Sequence, residues 1–393
     1  AAYIFTYSSG SWDTGTKIQA SDAATSDNFG TSVSMNSDGT KVIVGATGGE
    51  AAYIFTYTGG SWGTGTTIVA SDNAAGDKFG IDVAMSGDGG KLIVGAYGDG
   101  SYTGSAYIFD SLPIDNLIVS TGRVTTANVE VGGELTVTGN VTVDTDTLFV
   151  DSVNDRVGVG TTNPQKTLEV AGPMRITNGL SGVCDLSIVQ VAGGFWDTGM
   201  KIQASDIGAA GDLFGYRVAM NSDGTKVIMG AYGEGNVGAA YIFTYSGGSW
   251  DTGTKIVASD AATSDNFGYS VSMNSDGTKV IVGATGDDKD TGGNNAGAAY
   301  IFTYSSGSWD TGTKIVASDS AGGDTFGNSV SMSGDGTKVI VGAEFDDRDG
   351  LNDTGAAYIF TYSSGSWGTG TKIQASDAAT SDNFGISVSM SGD

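Results

Sequence analysis

Two short loops carry the residues of this sequence whose types and spacing could bind a metal ion. The first loop places three carboxylates close together, on Asp287, Asp288 and Asp290. The second loop has a denser set, Asp347, Asp349, Asn352 and Asp353. Calcium takes six to eight oxygen ligands, which alternate carboxylates and backbone carbonyls can supply around one ion. Both loops are therefore predicted calcium sites. The alternative is a solvated acidic loop, because each contains a basic residue, Lys289 or Arg348.

Most catalytic chemistry is excluded by what the composition leaves out. The chain has no histidine, so it lacks the commonest general base, the Ser–His and Cys–His pairs and most zinc sites. Its single cysteine, Cys184, cannot form an intrachain disulfide and is typical of a small buried apolar residue. No phosphate-binding loop or distinct catalytic carboxylate pair is present. We therefore predict no catalytic residue, no cofactor other than calcium, and no enzyme activity.

Ser-Asp pairs recur along the chain and are the other polar pattern. They are Ser21-Asp22, Ser71-Asp72, Ser259-Asp260, Ser318-Asp319 and Ser376-Asp377. A catalytic role would need a base that the sequence does not offer. Both side chains bond readily to nearby backbone N–H groups, so the pairs are predicted to cap turns.

The charge and the glycine content indicate the class of protein. The 44 acidic and 18 basic residues give a net charge of −26, which repels nucleic acid and anionic membranes. No apolar run approaches the roughly 20 residues that span a bilayer. Glycine occurs 65 times and proline 3 times, and no helical periodicity is sustained, which indicates many short strands and tight turns. The fold is predicted to be all-β. The protein is expected neither to bind nucleic acid nor to insert into a membrane.

The chain is built from copies of one unit of about fifty residues, best seen in 267–319. Residues 267–273 and 298–304 alternate, residues 279–284 are rich in β-branched side chains, and a fourth strand begins at Thr313. Asn274-Ser275-Asp276-Gly277 between the first two strands is a hairpin signal. The unit is therefore predicted to be a four-stranded antiparallel meander. One such sheet has too few apolar residues to stand alone, so the copies must bury one another's faces.

The copies can be counted from their Phe-Gly pairs and their tryptophans. The pairs start at 29, 79, 214, 267, 326 and 384, and the tryptophans are at 12, 62, 196, 250, 309 and 367. This gives five complete units and two terminal pieces. The repeat pattern predicts that Gly-Thr-Lys-Val-Ile-Val-Gly-Ala follows Asp393, so that the sequence is a fragment ending in mid-unit.

These motifs carry a resemblance to a known family. Phe-Gly-x-Ser-Val-x-Met, Asp-Gly-x-Lys-x-Ile-Val-Gly-Ala and Gly-Ala-Ala-Tyr-Ile-Phe resemble the FG-GAP repeat of integrin-type β-propellers, over residues 1–110 and 195–393. The resemblance implies a β-propeller of four-stranded blades, six or seven in the full ring, with calcium in acidic loops. Glycines such as Gly30 and Gly45 are expected to allow close backbone approach near the hub. The tryptophans are expected to pack over the outer edges of the blades.

Residues 111–194 interrupt one unit and have a different sequence pattern. Their period-two alternation predicts short strands or β-solenoid rungs. Residues 128–172, which include Asp155-Arg156-Val157-Gly158-Val159-Gly160, are similar to a motif of fibre and tail-appendage proteins of phages and large algal viruses. That resemblance implies an elongated stem. A thin segment has too little apolar mass for its own core, so 111–194 is predicted to mediate homo-oligomerisation as a trimer. The alternative is a monomeric insertion.

The domain prediction is a propeller formed by 1–110 and 195–393, with 111–194 inserted. The predicted function is a non-enzymatic structural or host-recognition protein of a virion appendage, contacting other virion proteins and a host surface glycan or protein receptor. The alternative is a secreted or cell-surface microbial adhesin with calcium-stiffened loops. The predicted location of the protein is the virion surface or the extracellular space. A polysaccharide-cleaving enzyme is a third class, but no acidic pair stands out from the 44 acids.

Overall fold

Each copy of the repeat forms a four-stranded antiparallel sheet in the computed structural model. The strands pair in chain order, and the fourth strand is interrupted, so that two short pieces both pair with the third strand. The structure describes residues 1–8, 10–112, 149–151, 156–159, 168–170, 195–204, 206, 208–288, 294–348 and 350–392. Within these residues five sheets are complete, which confirms the predicted meander.

The inner half of each sheet is a hairpin of two strands. The first strands are Phe29–Met35, Val83–Met85, Arg217–Met220, Phe267–Met273 and Val330–Met332. The second strands are Lys41–Ala46, Lys91–Ala96, Lys226–Ala231, Lys279–Ala284 and Lys338–Ala343. In the fourth sheet the predicted turn Asn274–Gly277 joins these two strands, and its Gly277 N–H donates to the Asn274 carbonyl at 3.0 Å. Gly277 has a φ of 65°, which this turn needs and glycine adopts freely.

The outer half of each sheet consists of a long third strand and the interrupted fourth. The third strands are Ala51–Thr58, Ser105–Leu112, Ala239–Ser246, Ala298–Ser305 and Ala356–Ser363. The outer pieces of the fourth strands are Ser61–Trp62, Phe195–Trp196, Ser249–Trp250, Ser308–Trp309 and Ser366–Trp367. The inner pieces are Thr66–Ile68, Met200–Ile202, Thr254–Ile256, Thr313–Ile315 and Thr371–Ile373.

The sheets are arranged around a common axis, as a propeller requires. Backbone hydrogen bonds lead from one inner hairpin to the next: Ser37 N–H to Gly87 O (2.9 Å), Gly87 to Ser222 (2.7 Å), Ser222 to Ser275 (3.0 Å), Ser275 to Gly334 (3.0 Å) and Gly334 to Gly392 (2.9 Å). The same hairpins surround a cavity of about 150 Å³ on the axis, lined by Met35, Met85, Met220, Met273 and Met332. We call this the hairpin end of the ring and the opposite end the loop end.

The hydrophobic core lies between neighbouring sheets. Ile281 and Ile301 of one sheet pack against Val330, Val341 and Tyr358 of the next, and all but Ile301 and Val330 are essentially inaccessible. Single sheets therefore have no core of their own, as the low apolar content predicted. The tryptophans pack at the outer edge: Trp367 lies partly buried against this cluster.

Glycine pairs let the inner strands of adjacent sheets meet. A Cβ atom added to Gly45 would collide with the Gly80 carbonyl oxygen of the next sheet. The same relation joins Gly95 to Gly215, Gly230 to Gly268, Gly283 to Gly327 and Gly342 to Gly385. The expected role of Gly45 is thus confirmed, and its physical reason is contact between two backbones.

A sixth position in the ring is formed from both ends of the described chain. Ala2–Ile4 pairs with Thr16–Ile18, and Tyr7–Ser8 pairs with Ser11–Trp12, as third and fourth strands. Phe384 bridges to Gly355 of the fifth sheet, as a first strand. These pieces match the two terminal pieces expected from the repeat count.

The chain divides into two compact units, residues 1–115 with 192–393, and residues 116–191. In the second unit the structure describes a three-stranded sheet, in which Arg156–Val159 pairs antiparallel with Phe149–Asp151 and parallel with Leu168–Val170. Most of residues 111–194, the segment predicted to mediate oligomerisation, lies outside the described residues, as does Cys184, so the oligomer contact stays a prediction. The described helical turns are Asp99–Tyr102 and Glu234–Asn236. No helix in the described part is long and apolar enough to span a membrane.

Candidate functional site

The acidic loops lie at the loop end, where their innermost carboxylates are buried. Asp287 is 2% exposed, and its carboxylate accepts hydrogen bonds from the Tyr300 hydroxyl at 2.7 Å and from the Lys314 ammonium at 2.9 Å. Asp288 lies at the surface and accepts the Asn295 N–H at 2.6 Å. Asp287 and Asp288 therefore face different partners, and an ammonium group already neutralises the buried one.

The second loop repeats this arrangement one sheet further on. Its buried carboxylate belongs to Asp346, which accepts from the Tyr358 hydroxyl at 2.8 Å and pairs with Lys372 at 2.7 Å. Asp347 instead accepts the Asp353 N–H at 2.9 Å. The side chains predicted to share one ion thus bind groups of the protein itself. Asp346, whose carboxylate is buried at the base of this loop, was not among the predicted ligands.

The described residues do not fit calcium at the centre of either loop. An ion there would have to displace the Lys314 or Lys372 ammonium from its carboxylates. The described part of the chain also contains no group of three or more acidic, histidine or cysteine side chains able to hold a metal ion. Asp290 and Asp349 lie outside the described residues, and the Asn352 carbonyl accepts the Ser381 N–H at 3.1 Å. Calcium binding by the full loops therefore stays a prediction.

Each buried carboxylate belongs to a cluster that joins two neighbouring sheets. The second carboxylate of the cluster comes from the end of the preceding sheet: Asp260 pairs with Lys314 at 2.9 Å and accepts from the Tyr300 hydroxyl at 2.7 Å. We call this arrangement the interblade cluster. Within the described residues it occurs as Asp72–Asp99–Lys201–Tyr107, Asp260–Asp287–Lys314–Tyr300 and Asp319–Asp346–Lys372–Tyr358. Asp206, Glu234 and Lys255 form the same ion pairs, but there the lysine lies 5.5 Å from the Tyr241 ring centre and the Tyr241 hydroxyl makes no hydrogen bond to a described residue.

The interblade clusters revise the role of the Ser-Asp pairs. Asp22, Asp72, Asp260 and Asp319 each accept a hydrogen bond from a tyrosine hydroxyl of the following sheet, at 2.6 to 2.8 Å. The predicted turn capping is performed by the aspartate five positions later: Asp265, for example, accepts the Ala262 N–H at 2.6 Å. Turn capping is a bond within one loop, whereas the aspartates of the pairs bond between sheets.

Electrostatics hold the interblade clusters in one charge state. Burial disfavours the Lys314 ammonium, but hydrogen bonds to Asp260 and Asp287 outweigh it and raise the pKa of Lys314. Burial, followed by hydrogen bonds to the same two carboxylates, raises the pKa of Tyr300. The lysine therefore stays charged and the tyrosine stays neutral over the whole neutral pH range, so neither is suited to proton transfer.

A buried capping aspartate gives a pH-dependent prediction. Burial raises the pKa of Asp324 to about 6, and the charges of Asp346 and Asp347 add to this, although the Ala321 N–H opposes it. Because the folded pKa lies above the ordinary 3.8, the stabilising contribution of this carboxyl is present at low pH and lost as pH rises through about 6. Asp324→Asn is expected to increase the unfolding free energy by about 1–3 kcal/mol at pH 7.5 and to change it little at pH 4.

Urea unfolding at the two pH values measures this difference. The matched control is Asp382→Asn, since exposed Asp382 makes the same capping bond, to the Ala379 N–H at 2.5 Å. An equal gain at both pH values, or the same gain in the control, would contradict the prediction.

A second feature of the loop end is a cluster of tyrosines near the axis, which we call the tyrosine mouth: Tyr97, Tyr102, Tyr216, Tyr232 and Tyr269. The ring centres of Tyr216 and Tyr232 lie 4.7 Å apart, and each lies within 5.5 Å of the Tyr269 ring. Tyr97 lies 5.5 Å from Tyr216. The rings are partly exposed, so the surface offers both aromatic faces and hydroxyl groups.

Two charged side chains border the tyrosine mouth. The Arg217 guanidinium lies 4.4 Å from the centre of the Tyr216 ring, which is close enough for a cation–π contact. Glu344 occupies the sequence position that corresponds to Tyr97 and Tyr232, and burial raises its pKa. Burial and a hydrogen bond with Tyr216 also raise the pKa of Tyr269. The mouth therefore offers a ligand aromatic faces, hydroxyl groups, one guanidinium and one carboxyl group.

Tyr102 is held at the mouth by an unfavourable backbone conformation. Its φ is 68°, which is strained for a bulky side chain, and Ser101 beside it has a φ of 67°. The Tyr102 carbonyl accepts the N–H groups of Gly211 and Leu213 from the next sheet, at 3.0 and 3.1 Å. These bonds fix the strained turn, and the tyrosine side chain remains 48% exposed. The strained turn thus leaves the Tyr102 ring exposed, with its centre 6.1 Å from that of Tyr97.

The sequence contained a signal for the tyrosine mouth that the motif search missed. Four of its five tyrosines occupy two repeat positions, the residue after Phe-Gly and the residue after Gly-Ala. Other copies have Thr31, Ile81 or Asn328 after Phe-Gly, and Thr47 or Thr285 after Gly-Ala. Because the framework residues of the repeat recur from copy to copy, variation at these two positions marks residues that the fold does not dictate.

Comparisons with known proteins agree with this architecture. The family model described as FG-GAP repeat matches six segments, residues 12–55, 62–109, 196–243, 250–302, 309–360 and 367–393. None of the curated proteins matches the chain. Among solved structures, Kuenenia stuttgartiensis hydrazine synthase is similar with a TM-score of 0.45 and 11% identity, over 91% of this chain and 69% of that chain. A similarity at this level carries no argument about function.

Proposed function

Because the chain belongs to the FG-GAP repeat family, we propose that it is a non-enzymatic recognition module that binds its ligand at the tyrosine mouth. The tyrosine cluster is the observation that carries this proposal. It is concentrated on three neighbouring sheets, at one end of a ring whose other features serve packing. Aromatic surfaces bordered by a few polar groups are typical of ligand sites.

The ligand class that fits best is a neutral surface glycan. Tyrosine rings stack against the apolar faces of sugar rings, and their hydroxyls bond to sugar hydroxyls. A net charge of −26 opposes approach to sialylated or sulfated glycans. A protein receptor is the second candidate, since tyrosines and arginine are enriched at protein interfaces.

We propose further that the module belongs to a virion appendage, where residues 111–194 form a trimeric stem. The sequence similarity of 128–172 to fibre and tail-appendage motifs supports this. The alternative is a secreted or cell-surface microbial adhesin. Capsid or tail genes beside this gene would favour the appendage, whereas a neighbouring anchor or secretion gene would favour the adhesin.

The binding proposal is tested with the full chain on an array of immobilised neutral oligosaccharides. Tyr102→Gly removes the most exposed ring of the mouth and also relieves the positive φ, so it should not destabilise the protein. We expect binding to fall at least tenfold while the melting temperature is unchanged or higher. The matched control is Tyr57→Ser, a ring 43% exposed at the outer edge of the first sheet.

Two outcomes would contradict the proposal. The first is retention of full binding in Tyr102→Gly and in a second variant, Tyr97→Thr, which installs the residue that other copies carry at this position. The second is an equal loss in the Tyr57→Ser control, which would place the contact elsewhere on the ring.

A further inference from the structure

Two charged residues interrupt a repeat position that is otherwise serine, at the start of the first strands. The position is the second residue after Phe-Gly, where the second sheet has Asp82 and the third sheet has Arg217. The other copies have Ser32, Ser270, Ser329 and Ser387. The same two sheets supply four of the tyrosines of the tyrosine mouth. The charged and the aromatic residues therefore depart from the repeat in the same part of the ring.

Asp82 retains the structural contact of the serine, whereas Arg217 does not. The Ser32 hydroxyl accepts the N–H of Val83 in the next sheet at 3.2 Å. The Asp82 carboxylate likewise accepts the N–H of Val218, one sheet further on, at 2.8 Å. An arginine side chain has no acceptor atom, so Arg217 cannot form this bond to its neighbour. Contact between the sheets thus gives a reason for Asp82 but none for Arg217.

The Arg217 guanidinium lies at the tyrosine mouth, and most of its donors are available to a ligand. Its central carbon is 4.4 Å from the centre of the Tyr216 ring, and one N–H donates to the Tyr216 carbonyl at 3.1 Å. A guanidinium has five N–H donors in a planar fork. Among the residues that the structure describes, Arg217 makes no other hydrogen bond or ion pair. The remaining donors can therefore bond to a molecule that enters the mouth.

Asp82 compensates the Arg217 charge without occupying these donors. One oxygen of its carboxylate accepts the Ser32 hydroxyl at 2.7 Å, and the other accepts the Val218 N–H at 2.8 Å. Burial raises the pKa of Asp82, and the Arg217 charge is the main influence that opposes this rise, followed by the Val218 N–H. The two charges therefore act on each other, although both carboxylate oxygens bond to other groups.

We propose that Asp82 and Arg217 make the tyrosine mouth selective for neutral over acidic sugars, an inference that rests on the proposed function. Arg217 donates paired N–H groups to adjacent hydroxyl oxygens of a sugar ring that stacks on the tyrosines. Asp82 determines the selectivity. A sugar carboxylate would lose its hydration in exchange for a guanidinium whose charge is already compensated. A sugar hydroxyl is much less costly to desolvate, so it is the better partner for these donors.

The test measures binding of the full chain to two sets of immobilised oligosaccharides that differ only in whether one hexose is replaced by its uronic acid. The wild type should prefer the neutral set. Arg217→Ser should weaken binding to the neutral set about tenfold or more, because hydrogen bonds from a charged donor are lost. Asp82→Ser keeps a hydroxyl that can accept the Val218 N–H and leaves the Arg217 charge uncompensated. It should strengthen binding to the acidic set about tenfold, because the guanidinium can then pair with the carboxylate, and high salt should reduce this gain.

Two control variants separate this effect from folding and from overall charge. Asp82→Ser/Arg217→Ser restores serine at both positions, so it should keep the wild-type melting temperature and bind neither set. Asp251→Gly removes one negative charge at an exposed site of the third sheet, where the first sheet has Gly63. It should bind both sets as the wild type does.

Three results would overturn the proposal: unchanged binding of the acidic set by Asp82→Ser, an equal gain in Asp251→Gly, or full binding of the neutral set by Arg217→Ser. If Tyr102→Gly loses binding to the neutral set while Arg217→Ser retains it, this proposal fails and the proposed function stands. If Tyr102→Gly and Tyr97→Thr both retain full binding, the proposed function itself fails.

Discussion

Replacing Gly95 by alanine is expected to destabilise the propeller by about 3 kcal/mol or more, because the new methyl group would collide with backbone. The added Cβ would meet the carbonyl oxygen of Gly215 in the next sheet, and the Ile81 side chain also lies close. A flexible side chain could move aside at little cost, but the Gly215 carbonyl belongs to the backbone, and the Gly215 N–H is held by the Gly230 carbonyl at 3.0 Å. The clash can be relieved only by separating two sheets along their inner strands.

The measurement for Gly95→Ala is urea unfolding followed by circular dichroism, with Gly208→Ala as the matched control. An added Cβ at Gly208 meets nothing within 4 Å, and its φ lies outside the positive region. The control should be neutral or slightly stabilising, since alanine restricts the unfolded chain. Equal stabilities of the two variants would show that adjacent sheets are not in the close contact described, and the account of the ring would fail.

Replacing Lys314 by threonine is expected to cost about 3–5 kcal/mol of unfolding free energy at neutral pH, the range typical when one partner of a buried ion pair is removed. Asp287 would keep its buried position and lose the Lys314 cation, while Asp260 remains beside it. Because the pKa of Lys314 is raised, the wild-type contribution is present throughout the neutral range and is lost only as pH rises through that raised value.

A natural precedent supplies the control for Lys314→Thr. The first sheet has Thr67 where the others have lysine, and Gly49 where they have the loop acid. The acid and the lysine are thus present or absent together among the five complete sheets. The double variant Asp287→Gly/Lys314→Thr reproduces the first sheet and should recover most of the loss, with a coupling energy of at least about 2 kcal/mol. Additive effects would mean that the two residues do not act as a pair.

The order and type of the strands were predictable from sequence because the repeats report the same pattern several times. Lys279–Ala284 was delimited correctly by its β-branched run and the glycine-alanine step that ends it. The break in the fourth strand was not predicted. Trp309 and Ile315 lie on separate short pieces, and the intervening Gly312 has a φ of 78°, with the Phe302 ring filling the space where its side chain would be.

The candidate sites were less predictable, for a physical reason. Acidic residues near one another in sequence suggested an ion, but the partner of Asp287 is Lys314, 27 residues away in sequence, and the second carboxylate, Asp260, belongs to another sheet. Sequence spacing does not show which cation a buried carboxylate will face. The tyrosine mouth was overlooked because its members are scattered along the chain. Only the ring brings them to one end.

The chain leaves the propeller for the inserted unit, and returns from it, at the outer end of the second sheet. Ser111 pairs with Trp196 and Leu112 pairs with Phe195, so the chain departs and returns on adjacent antiparallel strands. Paired residues in such strands lie about 5 Å apart. Any domain whose termini lie side by side could be exchanged at this junction without altering the order of strands in the second sheet. The second sheet therefore requires of an inserted domain only that its two ends lie close together.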